Sequence, residues 1–297
     1  MGVIASDRPR VLLLIDQRGW AFETIARAIE RCLGDRFAFE IAATAEKPPI
    51  DESSFDIIHT FFDRERYHVP FVHGRARIVK SVYSEYWHFE GMTASELYDQ
   101  FHHDAHAILV PNFKLLMLLR DLPVPVHIFP EGVDASLFAP RIRDRTEGFR
   151  VGWAGNPDRY IKRFEWLKKA AKGIGELFLA TGDRTVDAMV DFYNDIDVIA
   201  CSSQAEGSPR PILEGMACGA FPVSFDVGVV PEVVTPFVNG LIVEEESVEG
   251  LRSALTWCRD HLDHVRRARP LNVERMRATR RWESVVQSLA AIYHSLL

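Results

Sequence analysis

Glu206 and Glu214 are the residues of this 297-residue chain whose types and spacing point most directly to chemistry. They bracket the run Glu206-Gly-Ser-Pro-Arg-Pro-Ile-Leu-Glu214, which sets one carboxylate in a loop and the other on a helix in the same crevice. Ser208 followed by Pro209 reads as an N-cap and a first-turn proline, so a helix is expected from Pro209. The unpaired N–H groups and positive dipole end of such a helix attract a phosphate. Pro209 and Pro211 carry no N–H, which leaves fewer donors than usual.

The elements that must position these groups follow from hydrophobic pattern. Short apolar or β-branched runs alternate with stretches of helical period, the pattern of parallel α/β layers. In the first half strands are expected at Val11 to Ile15, Phe39 to Ala43, Phe55 to His59, Ile78 to Val82, Ala107 to Val110 and Val126 to Phe129. Helices are expected from Ala21 to Leu33, Ala94 to His102 and Asn112 to Arg120. The second half repeats the scheme, with strands at Arg150 to Ala154, Leu177 to Ala180, Val198 to Cys201, Phe221 to Ser224 and Leu241 to Val243. Its helices fall at Tyr160 to Lys172, Val186 to Asn194, Pro209 to Cys218, Val248 to Asp260 and Asn272 to Leu296. The charged, aperiodic segment Phe138 to Gly148 reads as a linker, with a domain boundary near residue 145. That gives an N-terminal domain over 1–145, a second over 146–271 and a terminal helix over 272–297.

Several spaced motifs then agree with one family. Ser203, Glu206-Gly207, Pro209, Glu214, Met216-Ala217, Gly219 and Pro222-Val223 resemble the signature of the retaining, nucleotide-sugar-dependent glycosyltransferases of family 4, also called glycosyl transferases group 1. Phe129-Pro-Glu-Gly-Val-Asp134 is similar to that family's Asn-Gly-Val-Asp segment, with Glu131 in place of Asn. Val151-Gly-Trp-Ala-Gly155 with Lys162 resembles its first strand and phosphate-binding lysine, and Val227-Gly228 to Glu232-Val233, Asn239 to Val243 and Trp282 to Tyr293 continue the likeness. The match is good over 129–297 and only in outline before that. Ordered motifs weigh more than one short pattern.

The resemblance implies an α/β fold of the GT-B type, with two Rossmann-like parallel-sheet domains facing a central cleft and the terminal helix packing back on the first domain. It implies transfer of a sugar from a nucleotide-diphosphate sugar, held at the carboxyl ends of the second domain's strands. Lys162 would stabilise charge on the departing diphosphate. Glu206 would hydrogen-bond donor-sugar hydroxyls near the reacting carbon, and Glu214 would take the ribose diol. Gly207 and Ser208 would turn backbone N–H groups to the phosphates at the Pro209 helix start, with Gly155 allowing close approach. Arg210 is a further phosphate or acceptor contact. The family's usual Arg is Asn156 here, and Arg159 or Arg163 would substitute. Read as structure alone, Lys162 is an exposed helix residue, Glu206 a turn cap and Glu214 an exposed helix carboxylate.

The first domain would hold a glycan, lipid-linked or small-molecule acceptor. Arg18, Gly19 and Trp20 follow the first strand, Trp20 serving either to stack on a sugar or to anchor the next helix, and Glu85 or His88 stands where the family often carries a cleft histidine. No metal or other cofactor is expected, because His102 and His106 share a helical face but find no third ligand. Gly173-Ile-Gly175 precedes a strand instead of following one, and no Gly-rich turn follows Val11 to Ile15, which argues against a nicotinamide enzyme. A catalytically silent GT-B subunit binding a nucleotide sugar or a partner protein is the alternative.

Composition is consistent with these expectations. With 47% hydrophobic residues the chain can bury large cores, and a formal charge of −7 argues against a nucleic-acid binder. Cys32, Cys201, Cys218 and Cys258 form no Cys-x-x-Cys pair and read as buried, reduced thiols of a cytoplasmic protein. No apolar run is long enough for a signal sequence or a membrane span, and the Met1 to Ser6 myristoylation pattern is read as chance. The basic runs Arg64 to Lys80 and Arg259 to Arg281 would serve any peripheral contact with the inner membrane face.

Overall fold

The computed structural model describes residues 8–62, 74–142, 148–182 and 184–297. The expected boundary near residue 145, the Met1 to Ser6 pattern and the Arg64 end of the first basic run lie outside the described residues. The chain divides into two compact units, Met1–Gly132 with Trp282–Leu297, and Val133–Arg281.

The first unit is built from β1 (Arg10–Ile15), α1 (Ala21–Leu33), β2 (Ala38–Ala43), β3 (Ile57–Thr60), β4 (Arg77–Ser81), α2 (Tyr86–Phe89), α3 (Ala94–Leu97), β5 (Ala107–Val110), α4 (Phe113–Leu119) and β6 (Val126–Ile128). Its strands form one parallel sheet in the order β2-β1-β3-β4-β5-β6. All five residues after Arg10 in β1 are buried, as expected for a parallel strand covered on both faces. Asn112 caps α4 by accepting from the Leu115 N–H at 2.8 Å.

The second unit holds β7 (Arg150–Ala154), α5 (Phe164–Ala171), β8 (Glu176–Ala180), α6 (Val186–Asp195), β9 (Val198–Cys201), α7 (Arg210–Cys218), β10 (Phe221–Phe225), α8 (Val230–Val233), β11 (Leu241–Val243), α9 (Val248–Asp260), α10 (Leu262–Arg267) and α11 (Arg269–Thr279). Its parallel strands run in the order β11-β10-β9-β7-β8. The last helix, α12 (Trp282–Leu296), belongs to the first unit. It packs Val285, Val286, Leu289 and Tyr293 into the core formed by β1, α1 and β3.

In each sheet the strand order reverses at one place, between β1 and β3 in the first unit and between β7 and β9 in the second. In open parallel sheets the loops leaving neighbouring strands diverge at such a point, which is where ligands are generally bound. Both loops that the sequence marks as chemical, Gly155 to Lys162 and Ser202 to Pro209, leave the β7–β9 pair.

Three expected helices differ. Tyr160 to Lys172 is a 3-10 turn, Tyr160–Lys162, followed by α5, because Arg163 takes a left-handed conformation with φ 46°. Ala94 to His102 is α3 plus a π turn, Tyr98–His102. His106 lies beyond that turn, so the expected shared helical face with His102 does not exist; the His106 Nδ1 accepts from the Ile78 N–H at 3.0 Å. Asn272 to Leu296 breaks at Arg280 and Arg281, where the Val133 N–H donates to the Arg280 carbonyl at 2.6 Å and the buried Arg280 guanidinium meets Glu232 at 3.0 Å.

Candidate functional site

The site is built on the two adjacent strands β7 and β9. All four residues of β9 are buried, and Gly215 of α7 lies so close to it that a Cβ would come within 2.9 Å of Ile199. This close contact sets α7 directly behind the loop Ser202 to Pro209. Two hydrogen bonds tie that loop to the turn after β7: Ser202 Oγ donates to the Lys162 carbonyl at 2.8 Å, and the Gln204 N–H to the Ile161 carbonyl at 2.9 Å. A third comes from the segment after β10, where the Val229 N–H donates to the Gly207 carbonyl at 3.0 Å.

Held this way, Lys162 and Glu206 meet. The Lys162 Nζ lies 2.5 Å from Glu206 Oε1, with about a fifth of the lysine side chain exposed and 15% of the glutamate. One turn into α7, Arg210 Nη2 donates to Glu214 Oε1 at 3.0 Å. The other oxygen of Glu214 accepts from the Tyr193 hydroxyl at 2.9 Å. Tyr193 is fully buried on α6, and burial, followed by the charge of Glu214, pushes its hydroxyl well above the ordinary phenol range. It therefore stays a donor throughout the working pH range. Nothing in the sequence pattern singled out Tyr193, because its link to Glu214 arises from α6–α7 packing across 21 residues.

The expected Ser208 cap is corrected by the structure. Pro209 occupies the cap position without a side-chain cap bond, α7 opens at Arg210, and Pro211 is the proline inside the first turn. Ser208 Oγ is buried with no hydrogen-bond partner among the described residues. On the turn after β7, Gly155 adopts φ +154°, and its N–H donates to the Ala180 carbonyl at 3.0 Å. Asn156 closes the next turn by accepting from the Asp158 N–H at 2.9 Å, and Arg159 is exposed ahead of the 3-10 turn. Arg163 is engaged elsewhere, with Glu246 at 2.7 Å and its guanidinium 4.5 Å over the Trp166 ring. Of the two arginines considered in place of the family's Arg, Arg159 is the exposed residue.

In the first unit, Arg18, Gly19 and Trp20 form the turn between β1 and α1. Gly19 has φ +77°, and its N–H donates to Glu23 at 2.7 Å. Arg18 reaches Glu23 and Glu46, each at 3.3 Å. Trp20 precedes α1 and is 59% exposed, so it does not anchor the helix by burial. Glu85 precedes α2, and His88 is exposed on it with its ring against Trp87 and Phe89. A network the sequence reading missed lies beneath: His59 on β3 is fully buried, with Nδ1 2.6 Å from the Tyr293 hydroxyl and Nε2 2.7 Å from Ser81 Oγ. Burial lowers its pKa to about 3. Neutral His59 thus fastens α12 to the sheet. Among the described residues there is no cluster of three or more His, Cys, Asp or Glu that could hold a metal ion, and no helix long and apolar enough to cross a membrane.

Two all-parallel sheets with flanking helices, each reversing strand order once, define the architecture of GT-B glycosyltransferases, and solved structures bear this out. Sucrose-phosphate synthase from Thermosynechococcus elongatus superposes with a TM-score of 0.76 at 14% identity, covering 97% of this chain and 99% of that one. Anabaena HepE in complex with UDP-glucose gives 0.75 at 14% identity, covering 96% and 99%. Residues 134–260 match the model of the family described as glycosyl transferases group 1, so the second unit carries such a domain. A curated relative, the GDP-mannose-dependent alpha-mannosyltransferase of Mycobacterium tuberculosis, is 26% identical over 225 residues, covering 66% of this chain and 58% of that protein. The chain thus spans little more than half the length of that relative.

Proposed function

We propose that the protein is a retaining glycosyltransferase that moves a sugar from a nucleotide-diphosphate sugar to an acceptor hydroxyl, working from the cytoplasm in surface glycan or glycolipid assembly. The observation that carries the reading is the contact of Lys162 with Glu206 at the carboxyl ends of β7 and β9, beside the first turn of α7. The group 1 domain over 134–260 and the nucleotide sugars named for the mannosyltransferase relative and the HepE complex support it.

In this reading the diphosphate rests over the start of α7, against the backbone N–H groups of Gly207 and Ser208. As the bond to the sugar breaks, negative charge grows on the leaving oxygen, and the Lys162 ammonium offsets it in place of a metal ion. Glu206 accepts hydrogen bonds from the sugar hydroxyls. Glu214 holds the ribose. The acceptor hydroxyl attacks from the face the leaving group departs, and its proton passes to that phosphate, which retains configuration. Arg18, Gly19, Trp20, Glu85 and His88 are the acceptor-side candidates, and the basic runs are candidates for a peripheral membrane contact.

A thermal-shift screen of UDP-, GDP-, ADP- and dTDP-sugars in the presence of a chelator tests this. One nucleotide class should raise the melting temperature, by mass action on the native state, and Lys162→Ala should remove most of that shift. No shift with any nucleotide would point instead to a catalytically silent GT-B subunit.

A further inference from the structure

The carboxylate of Glu214 is held by two donors from different helices. Oε2 accepts from the Tyr193 hydroxyl at 2.9 Å, and Oε1 from Arg210 Nη2 at 3.0 Å. A carboxylate offers about four lone-pair sites, two on each oxygen. Among the described residues the protein fills one on each, and one on each remains. That leftover pair suits two neighbouring hydroxyl donors, which is the pattern of a cis-diol.

We propose that Tyr193 is a positioning residue for donor recognition: it locks the terminal torsion of Glu214 so that the carboxylate presents both remaining lone pairs to the ribose 2′ and 3′ hydroxyls together. The proposal rests on the donor-site reading above. Its physical basis is that the terminal torsion of a glutamate is broad and roughly two-fold, so a single partner on Oε1 leaves the second oxygen free to swing. Tyr193 is the more deeply buried of the two donors. Its ring is fully buried, edge-on to Phe138 at 6.0 Å and to Phe192 at 5.2 Å, whereas the Arg210 side chain is 26% exposed. Its hydroxyl, pressed between an apolar core and a negative charge, remains protonated and can act only as a donor toward Glu214.

The test is calorimetric titration of the stabilising nucleoside diphosphate and its 2′,3′-dideoxy analogue, with wild type, Tyr193→Phe and Glu214→Gln. Wild type should prefer the ribonucleotide. Tyr193→Phe should weaken ribonucleotide binding about fivefold, as expected for the loss of one hydrogen bond, while the dideoxy affinity stays within about twofold. Glu214→Gln should remove the preference, and adding Tyr193→Phe to it should change nothing further. A purely structural tyrosine would weaken both nucleotides equally. Glu214→Asp, which withdraws the carboxylate from an intact Tyr193, repeats the test without touching the core and should also reduce the preference. A ribose preference that survives Tyr193→Phe but is lost in Glu214→Gln overturns the role of Tyr193 alone, and one that survives Glu214→Gln as well overturns the ribose assignment of Glu214. A wild type that binds neither nucleotide overturns the donor site and this role together.

Discussion

Replacing Gly228 with alanine should disable the site from a residue that touches none of its charged groups. Gly228 sits at φ +50°, and a Cβ there would lie 2.2 Å from the Gly207 carbonyl oxygen and 2.7 Å from that of Glu206. Carbon and oxygen normally approach to about 3.3 Å, so the two backbones must part by roughly 1 Å. Left-handed backbone costs an alanine about 1 kcal/mol, overpacking of this size about 1–3 kcal/mol, and loss of the Val229 to Gly207 hydrogen bond about 1 kcal/mol more. Gly173 is the matched control in the same unit, with φ +76° and nothing within 4 Å of its would-be Cβ. Urea unfolding should place Gly173→Ala about 1 kcal/mol below wild type and Gly228→Ala at least about 2 kcal/mol lower again. Because the displaced backbone carries Glu206, nucleotide affinity should fall tenfold or more in Gly228→Ala alone. Equal stabilities for the two variants, or unchanged nucleotide binding in Gly228→Ala, would refute the reasoning.

Acid should weaken the first unit through His59. With its folded pKa lowered to about 3 against an ordinary value near 6.5, the ring contributes stability that is complete above about pH 6.5 and declines as pH falls, by up to about 1.4 kcal/mol per unit. Urea midpoints at pH 7 and pH 5 should therefore converge in His59→Gln, and an unchanged acid limb would show that the ring protonates freely. Burial pushes the Cys218 thiol up to about 12 and raises Cys201 and Cys258 as well, so a thiol reagent should modify only the half-buried Cys32 in native protein and all four cysteines in denaturant. A second reactive native thiol would contradict this. Glu206→Gln should bind the free nucleoside diphosphate several-fold tighter than wild type while losing sugar transfer, and parallel losses of both, measured by calorimetry and product formation, would count against the assigned roles.

The sheets were legible because parallel strands buried on both faces leave continuous apolar runs, and Val11 to Ile15 and Val198 to Cys201 could hardly be anything else. The paired charges were legible only as residue types, through spaced motifs. That Lys162 lies on Glu206 depends on the Ser202 and Gln204 hydrogen bonds between two loops about 40 residues apart, which no local pattern encodes. Helix ends failed where tertiary contacts outweighed local propensity. Arg280 interrupts the C-terminal helix because its guanidinium is drawn to Glu232, and the Arg163 turn is stabilised by Glu246 and Trp166. Tyr193 and His59 were invisible for the same reason: each matters through a partner more than 20 residues away.

The Lys162–Glu206 contact also constrains how a donor can enter. Two unlike charges about 4 Å apart near a protein surface attract by roughly 4 kcal/mol, and two like charges repel by as much. On the proposed function, a diphosphate arriving beside Glu206 would meet a carboxylate that already holds the Lys162 ammonium, and it would either share that cation or displace its partner. Sharing is the arrangement that would serve the proposed transfer, since an ammonium between the carboxylate and the phosphates would screen their repulsion and leave Glu206 lone pairs for neutral sugar hydroxyls. Removing the carboxylate's charge then relieves a competitor and a repulsion at once, which tightens the hold on a bare diphosphate. The same change would remove the acceptor that the proposed function assigns to the sugar hydroxyls. Binding and turnover are thus expected to respond in opposite directions to one substitution, a divergence that a carboxylate serving merely to cap its own turn has no means of producing.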